Sequence, residues 1–316
     1  MNRALASRIA AAQDRERERL TNVGLRQIRP LTVQVRADAI RALLGRGGDV
    51  QDIIRRTLEG AAPLVADGML AAHLQGRLRS FLTAQKAAGV RMARKSKIAK
   101  KKDTFDWAQD FLARRLELPE AALDEIATRY HADARVVVNR LITDVQDHVG
   151  RAMAEAHAKG LHVRGGVEAL RAGFDAAGIT PRSDFALETI FRTQNQVAYA
   201  AGRWNANQDE SIDEILWGYE YSSVGDDRVR PSHAALDGWR APKDDPQWRR
   251  VFPPNGWNCR CTAIEIFKGD AEAVHSGALK TVRIDGARVR QEADEGFAFN
   301  AGVVYRDLLN YQRGAA

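Results

Sequence analysis

The chain has 316 residues, of which 45% are apolar, and it carries a formal net charge of +7. This length and composition predict about two globular units and exclude a chain that is disordered throughout. The first twenty residues contain five arginines, which argues against a signal for export. The chain has no run near the roughly 18 apolar residues of a membrane span, so no membrane partner is expected. The positive charge favours polyanions but specifies none of them.

Residues 1–90 predict a helical N-terminal region, because apolar residues recur at helical spacing and strand-like alternation is scarce. In the first segment, residues 3–29, the charged run from Asp14 to Arg19 suggests a partly solvated arm. Pro30 is expected to end that helix, since proline lacks the amide hydrogen that a helix interior needs. Further helical segments are predicted at 31–44, 49–60 and 63–88.

Residues 91–104 are predicted to be a basic linker, with no acid before Asp103. Such a charge run is commonly a solvated segment. The alternative is sequence-independent binding of double-stranded DNA, in which these side chains neutralise phosphates. The residues concerned are Arg91, Arg94, Lys95, Lys97, Lys100, Lys101 and Lys102.

The rest of the chain divides by composition. Residues 105–209 return to helical periodicity, whereas 210–302 become rich in aromatic residues, glycine and turns, and 303–316 form a short tail. The expected fold is therefore α+β: an extended, mainly α-helical N-terminal region followed by a small mixed α/β C-terminal domain.

Within 210–302, the sequence ILWGYEYSS alternates as a strand does, and Thr262 to Phe267 is a second strand candidate. Asp226 and Asp227 follow Gly225 in a turn, Pro231 to Leu236 can form one short helix, and Gly238 can end it. Aromatic residues and prolines between these elements predict a compact, loop-rich module.

Cys259 and Cys261 are two residues apart, so in an extended chain both sulfurs point to the same face and Arg260 points to the other. With His233 and one carboxylate, Asp226 or Asp227, they could complete a tetrahedral zinc set. Alternatively the cysteines are small buried apolar residues with no cofactor, and His233 hydrogen-bonds a carboxylate or a backbone carbonyl.

Three segments in this order resemble the C-terminal signature of the Mu F-like phage head morphogenesis family: ETIFRTQNQVAYAAGRW (188–204), DDRVRPSHAALDGW (226–239) and PPNGWNCRCTAIEIF (253–267). EGFAFNAG (295–302) resembles the family's closing segment, although Ala301 stands where proline is expected. The resemblance covers about 105–302 and is strongest over 188–267.

The resemblance implies a few-copy minor head protein, associated with the portal inside the head and assembled in the bacterial cytoplasm. Its expected partners are portal protein, scaffold or major capsid protein, and packaged DNA, and it implies no catalytic residues. The alternative is a metal-dependent hydrolase or nuclease that uses Asp226, Asp227 and His233. The structural interpretation instead expects a polar network that includes Arg192, Thr193, Asn195, Asp227, Arg228, Arg230, His233, Asn258, Cys259 and Cys261.

Overall fold

The computed structural model of the chain describes residues 3–44, 49–88, 116, 118–160, 163–180 and 185–304, so the basic run 91–102 and the tail beyond 304 lie outside the described residues. None of the described helices is long and apolar enough to cross a membrane. Long helices followed by small antiparallel sheets confirm the α+β fold. The helices are α1 Arg3–Leu43, α2 Val50–Glu59, α3 Ala61–Ala87, α4 Glu120–Ala158, α5 Val163–Ala176, α6 Phe185–Ala206, α7 Glu210–Asp213, α8 Pro231–Leu236, α9 Trp248–Val251 and α10 Ala301–Val304. The strands are β1 Leu216–Ser222, β2 Arg240–Pro242, β3 Thr262–Phe267, β4 Thr281–Ile284 and β5 Ala287–Arg290.

Helix α1 continues through Pro30, so the prediction that this proline ends the helix is wrong. A proline in a helix interior costs about 3 kcal/mol. Leu25, Ile28, Val35 and Ala39 form one buried stripe that passes the proline on both sides. Burial of that stripe favours a single continuous helix and offsets the cost.

The chain forms two compact units, and each unit combines segments that are distant in sequence. The first unit contains Met1–Leu20, Met69–Ile126 and Thr193–Ala316, and the second contains Thr21–Gly68 and Ala127–Arg192. Helices pack by the faces they present rather than by their order in the chain. The sequence divided the chain into consecutive regions, and those boundaries stay predictions.

The core of the second unit is formed by apolar side chains on helices. Helix α4 buries Val138, Val145 and Val149 at helical spacing. Helix α5 approaches it closely at Gly173, where a Cβ atom would lie 2.7 Å from the Cα of Val149. Small residues at such points let helix backbones come together.

In the first unit, α3 and α6 cross with their backbones in contact. A Cβ atom at Gly76 would lie 2.1 Å from the carbonyl oxygen of Tyr199, and one at Gly202 would lie 2.0 Å from that of His73. Only glycine fits at either position. This crossing fixes α6, which leads directly into the sheet.

The sheet of the first unit has the strand order β2-β1-β3, with antiparallel pairing throughout. Its central strand β1 pairs Tyr219 with Ala241 on one side and with Glu265 on the other. A Cβ atom at Gly218 would lie 2.1 Å from the carbonyl oxygen of Ala241, so the strand requires glycine there. The strands predicted from ILWGYEYSS and from Thr262 to Phe267 are confirmed.

A second, two-stranded sheet pairs β4 with β5 and turns at Asp285 and Gly286, both of which have positive φ. An Asp-Gly pair favours this tight hairpin turn because both residues tolerate left-handed backbone. The hairpin was not predicted from the sequence, although the Asp-Gly pair between alternating residues was the signal for it.

Candidate functional site

The turn before α8 is held by its own polar side chains. The Arg228 amide donates to the Asp226 carboxylate over 3.1 Å, and the Ser223 amide donates to Asp237 over 2.8 Å. Pro231 occupies the start of α8, where its missing amide hydrogen costs nothing. Gly238, with φ of 78°, follows α8 and donates its amide to the carbonyl of Tyr221. The predicted helix from Pro231 to Leu236 is confirmed, and it places His233 inside the module.

His233 is buried, and each of its ring nitrogens has a partner. Nε2 lies 3.1 Å from the backbone oxygen of Asn255 and 3.3 Å from a carboxylate oxygen of Asp294. Both partners accept hydrogen bonds, so Nε2 carries the proton and donates it. Nδ1 faces the sulfur of Cys259, 3.7 Å away, and in the neutral imidazole it does so with its lone pair.

The two cysteines and His233 form one buried cluster. A ring nitrogen of His233 and the Sγ atoms of both cysteines all lie within 4.8 Å of one another. Both thiols are free and buried. The Tyr221 hydroxyl completes the cluster through contact with Cys261. The structure thus turns both sulfurs towards His233, as the residue spacing predicts.

Electrostatics within the cluster separate the two thiols. The hydrogen bond with Cys261 holds the pKa of Cys259 well below its usual range, and His233 lowers it further. The same contact, together with burial, raises the pKa of Cys261 well above its usual range. Burial lowers the pKa of His233, but the contact with Cys259 outweighs burial and gives a net rise. Cys259 is therefore the thiol that ionises first.

Arg260 lies between the two cysteines in sequence, and its side chain forms an ion pair with Asp226. Its guanidinium donates to both carboxylate oxygens over 2.5 and 2.6 Å. This contact, with a smaller contribution from Arg228, lowers the pKa of Asp226 below its usual range. Asp227 was predicted in this network, but it is exposed. Asp226 takes the position instead, because the turn aims the first carboxylate inward and the second at solvent.

Asp294 joins the closing segment of the chain to the module. One carboxylate oxygen lies 3.0 Å from Nε of Arg230 and the other faces His233. Arg230 also donates to the backbone oxygen of Trp257 over 2.8 Å. A Cβ atom at Gly256 would lie 2.0 Å from the Asp294 carboxylate, so glycine there leaves room for this contact. No motif in the sequence singled out Asp294.

The predicted network residues of α6 have separate positions. The Thr193 hydroxyl accepts a 3.0 Å hydrogen bond from the backbone amide of Asn258, whose φ is 54°. Asn195 is buried. Arg192 forms an ion pair with Glu188 at 3.0 Å, one turn earlier on the same helix. Thr193 thereby connects α6 to the cysteine segment.

A second group of buried polar residues, here called the polar cluster, lies around an ion pair between Arg203 and Glu265 at 2.5 Å. Arg203 donates to Gln13 over 3.1 Å and to Thr262 over 2.7 Å. Glu265 accepts from Ser80 over 3.1 Å and from Asn207 over 3.2 Å. Burial raises the pKa of Glu265, but the charge and hydrogen bond of Arg203 give a net fall. The polar cluster consists of Gln13, Ser80, Arg203, Asn207, Thr262 and Glu265.

The N-terminal helix enters the site through residues that the sequence analysis assigned to a partly solvated arm. Gln13, Asp14 and Arg17 are buried, whereas Arg15 and Arg19 are exposed. Arg17 lies over the ring of Tyr199 and donates to the backbone oxygen of Arg260 over 3.1 Å. The arm prediction is correct for one face of the helix and wrong for the other, because the buried stripe carries polar residues.

The cysteines also belong to a larger group of buried apolar side chains, here called the aromatic cluster. The rings of Trp204 and Phe252 pack edge to face with their centroids 4.9 Å apart, and the ring centroids of Trp248 and Trp239 are 4.7 Å apart. Edge-to-face aromatic pairs contribute about 0.5–1.5 kcal/mol beyond the burial of their area. The cluster consists of Ala200, Trp204, Leu216, Tyr219, Tyr221, Leu236, Trp239, Ala241, Trp248, Val251, Phe252, Cys259, Cys261 and Ala263.

The residues of the hydrolase alternative do not share one site. Arg260 occupies both oxygens of Asp226, Asp227 is exposed, and the ring nitrogens of His233 face Cys259, Asn255 and Asp294. Neither Asp226 nor Asp227 belongs to the metal-capable group found among the described residues. The fourth zinc ligand that the sequence suggested is therefore held elsewhere.

The order of thiol, imidazole and carboxylate from Cys259 through His233 to Asp294 is also that of a cysteine nucleophile with its base. Cys259 is 3% exposed and His233 is 1% exposed. A substrate carbonyl has to reach the sulfur for acyl transfer. The fold covers that sulfur in this arrangement.

The described fold is therefore an α+β protein whose last long helix leads into a loop-rich module closed by a buried histidine and two cysteines. Residues 123–264 match the family described as Phage Mu protein F like protein. A Mu-like prophage FluMu F protein of Haemophilus influenzae is 38% identical over 124 residues, which are 39% of this chain and 29% of that protein. A putative capsid assembly protein F of Escherichia phage Mu is 30% identical over 141 residues, with 37% of this chain and 32% of that protein covered.

Through this segment the chain is similar to the phage Mu protein F-like family. The match includes α6, α8 and the cysteine segment, which confirms the resemblance seen in the sequence. The chain spans about a third of the length of these curated relatives. No solved structure matches it.

Proposed function

We propose that the protein is a minor head protein of a tailed phage or prophage and acts in head assembly at the portal. The observation that carries the proposal is the family match over residues 123–264, together with the similarity to the putative capsid assembly protein of phage Mu. The protein would be assembled in the bacterial cytoplasm and remain inside the head.

The construction of the module supports attachment as its role. Arg260 with Asp226, Arg230 with Asp294, and His233 with Asn255 tie together segments that have few strand hydrogen bonds. A surface held this way keeps one shape, and preorganised surfaces lose less entropy when they bind.

An aromatic strip beside the module, exposed at Trp257 and Phe299, offers the contact surface for the proposed portal partner. Trp257 is 45% exposed and meets Phe297 edge to face at 5.4 Å, and Phe299 stacks on Phe297 at 6.3 Å. Tryptophan at the centre of an interface commonly contributes much of the binding energy. Scaffold and major capsid protein are the other candidate partners.

Co-purification with the portal protein of the same phage tests this role. Wild type should be retained by tagged portal protein, and Trp257→Ala should be retained at least about tenfold less, as expected for an interface anchor. Phe185→Ala is the matched control, since Phe185 is an aromatic residue 62% exposed on α6. Retention of neither wild type nor control by portal, scaffold or major capsid protein would refute the proposal.

Handling of packaged DNA is the second part of the proposed role. The basic run 91–102 supplies charges for phosphates, although it lies outside the described residues. Arg283, Arg288 and Arg290 add exposed charges to the β4–β5 hairpin, where Arg283 faces Arg288 directly across the strands. Like charges in that position destabilise a sheet, and a bound phosphate between them would relieve the repulsion.

Salt-dependent binding to double-stranded DNA tests this part. Glutamine at Lys95, Lys97, Lys100, Lys101 and Lys102 should weaken binding about equally for all sequences and flatten its salt dependence, because each lost phosphate contact removes about 0.9 from the slope of log K against log salt. Arg283→Gln with Arg288→Gln should have a smaller effect of the same kind. Unchanged binding in both variants would remove the DNA role and leave the portal role standing.

A further inference from the structure

We propose that His233, Cys259 and Cys261 bind one zinc ion, an assignment that is independent of the proposed role in head assembly. Their ligand atoms lie within 4.8 Å of one another, and all three residues are buried. Thiolate sulfur and imidazole nitrogen are the ligands that zinc prefers. The two cysteines of the chain are both in this cluster.

The orientation of His233 is that of a metal ligand. Its Nε2 donates to the Asn255 backbone oxygen and lies within reach of the Asp294 carboxylate, which fixes the tautomer and leaves Nδ1 unprotonated towards the sulfurs. Metal-binding histidines commonly donate their second nitrogen to a carbonyl or carboxylate in this way, and such outer partners raise the basicity of the ligand.

The charge of the occupied site suits its surroundings. Zinc with two thiolates and a neutral imidazole has no net charge, so binding introduces no unpaired charge into the aromatic cluster. The Tyr221 hydroxyl, which contacts Cys261, is a polar group beside these ligands. The carboxylate of Asp226 stays with Arg260 outside the ligand set.

The ion would cross-link α8 to the cysteine segment. His233 lies in α8, while the chain between Pro253 and Cys261 forms neither helix nor strand. A metal that binds the folded state and not the unfolded state adds its binding free energy to folding. On binding, each thiol that is still protonated loses its proton to solvent while sulfur–zinc bonds form, and no oxidation or reduction takes place.

Metal titration of the full wild-type chain under reducing conditions tests the site. After chelator treatment, zinc should bind one ion per chain, raise the thermal unfolding midpoint and slow modification of both cysteines by a thiol reagent. Cobalt(II) in place of zinc should give a thiolate-to-cobalt charge-transfer band. Absence of one-to-one zinc binding and of that band in the folded wild type would overturn the proposal.

Variants locate the ion. Cys259→Ser, Cys261→Ser and His233→Asn should each lower zinc affinity more than tenfold, and Asp294→Asn should lower it about 10- to 100-fold through the orientation of His233. His275→Asn is the matched control, because His275 is an exposed histidine of the same unit that pairs with Asp245. Equal loss in the control, or unaltered affinity in all ligand variants, would assign the zinc to another place and refute the site.

Discussion

The aromatic cluster and the polar cluster adjoin one another in the same unit but hold it together by different means. The aromatic cluster buries rings such as Trp248 and Phe252, and its contacts depend mainly on shape. The polar cluster buries charges, and each of them needs a partner at the right distance. Asn207 joins the two, since it reaches both Glu265 and the hydroxyl of Tyr219. The difference teaches that apolar burial tolerates change of detail, whereas buried polar groups specify the arrangement of distant segments.

The largest expected effect is in the polar cluster. Glu265→Leu should lower the free energy of unfolding by about 3–5 kcal/mol, because it leaves the buried Arg203 charge without its partner. Adding Arg203→Met should recover much of that loss, since two apolar residues can replace a buried ion pair. Chemical denaturation measures both changes.

Leu236→Met in the aromatic cluster is the matched comparison, with an expected loss of under about 1.5 kcal/mol for a hydrophobic exchange of similar volume. If this exchange costs as much as Glu265→Leu, the contrast between the two clusters fails.

The second effect concerns the crossing of α3 and α6, which brings Ser80 and Arg203 together. Gly202→Ala should lower the free energy of unfolding by about 1–3 kcal/mol, because the new Cβ would meet the backbone oxygen of His73 at 2.0 Å and force the helices apart. Thermal or denaturant unfolding measures the loss. Gly150→Ala on α4 is the control and should stabilise by about 0.5–1 kcal/mol, since the nearest atom outside its own helix is on the flexible Gln51 side chain at 3.4 Å.

The third effect is a pH dependence of stability that comes from His73 on α3, at the crossing with α6. Burial, with a smaller contribution from Arg77, lowers the pKa of His73 to about 3, while the unfolded chain keeps a value near the ordinary 6.5. Below pH 6.5 this histidine is therefore protonated in the unfolded state but not in the folded state. The free energy of unfolding falls by about 1.4 kcal/mol per pH unit down to pH 3. At pH 5 the loss is about 2 kcal/mol. His73→Leu should remove this slope in denaturation curves between pH 7 and 5, and an unchanged slope would contradict the assignment.

The smallest effect is at the rim of the module. Asp226→Asn should cost under about 1 kcal/mol, because the Asp226 side chain is 32% exposed and exposed ion pairs contribute little. Arg260 lowers the pKa of Asp226. The contribution of this ion pair to the free energy of unfolding is therefore present above the ordinary pKa range of a carboxyl group and is lost as the pH falls from that range to the lowered value. The difference between wild type and variant should shrink in acid. Asp227→Asn should have no measurable effect, since Asp227 is exposed.

Local signals in the sequence were enough for several elements. Strands β1 and β3 and helix α8 follow from alternation, proline and glycine, and the Cys-x-Cys spacing places both sulfurs on one side of the chain. Long-range partners left no such signal. Asp294 reaches His233 from the closing segment, and Gln13 reaches Thr262 across most of the chain.

By itself the sequence determined the helical and strand segments of the module, the facing of its cysteines and the family that the module resembles. Only the tertiary structure decided that α1 continues past Pro30, that Asp226 and not Asp227 meets Arg260, and that Asp14 and Arg17 are buried. The physical reason is that hydrogen-bonding patterns of helices and strands act between near neighbours, whereas the burial of a polar side chain depends on which distant groups arrive to pair with it.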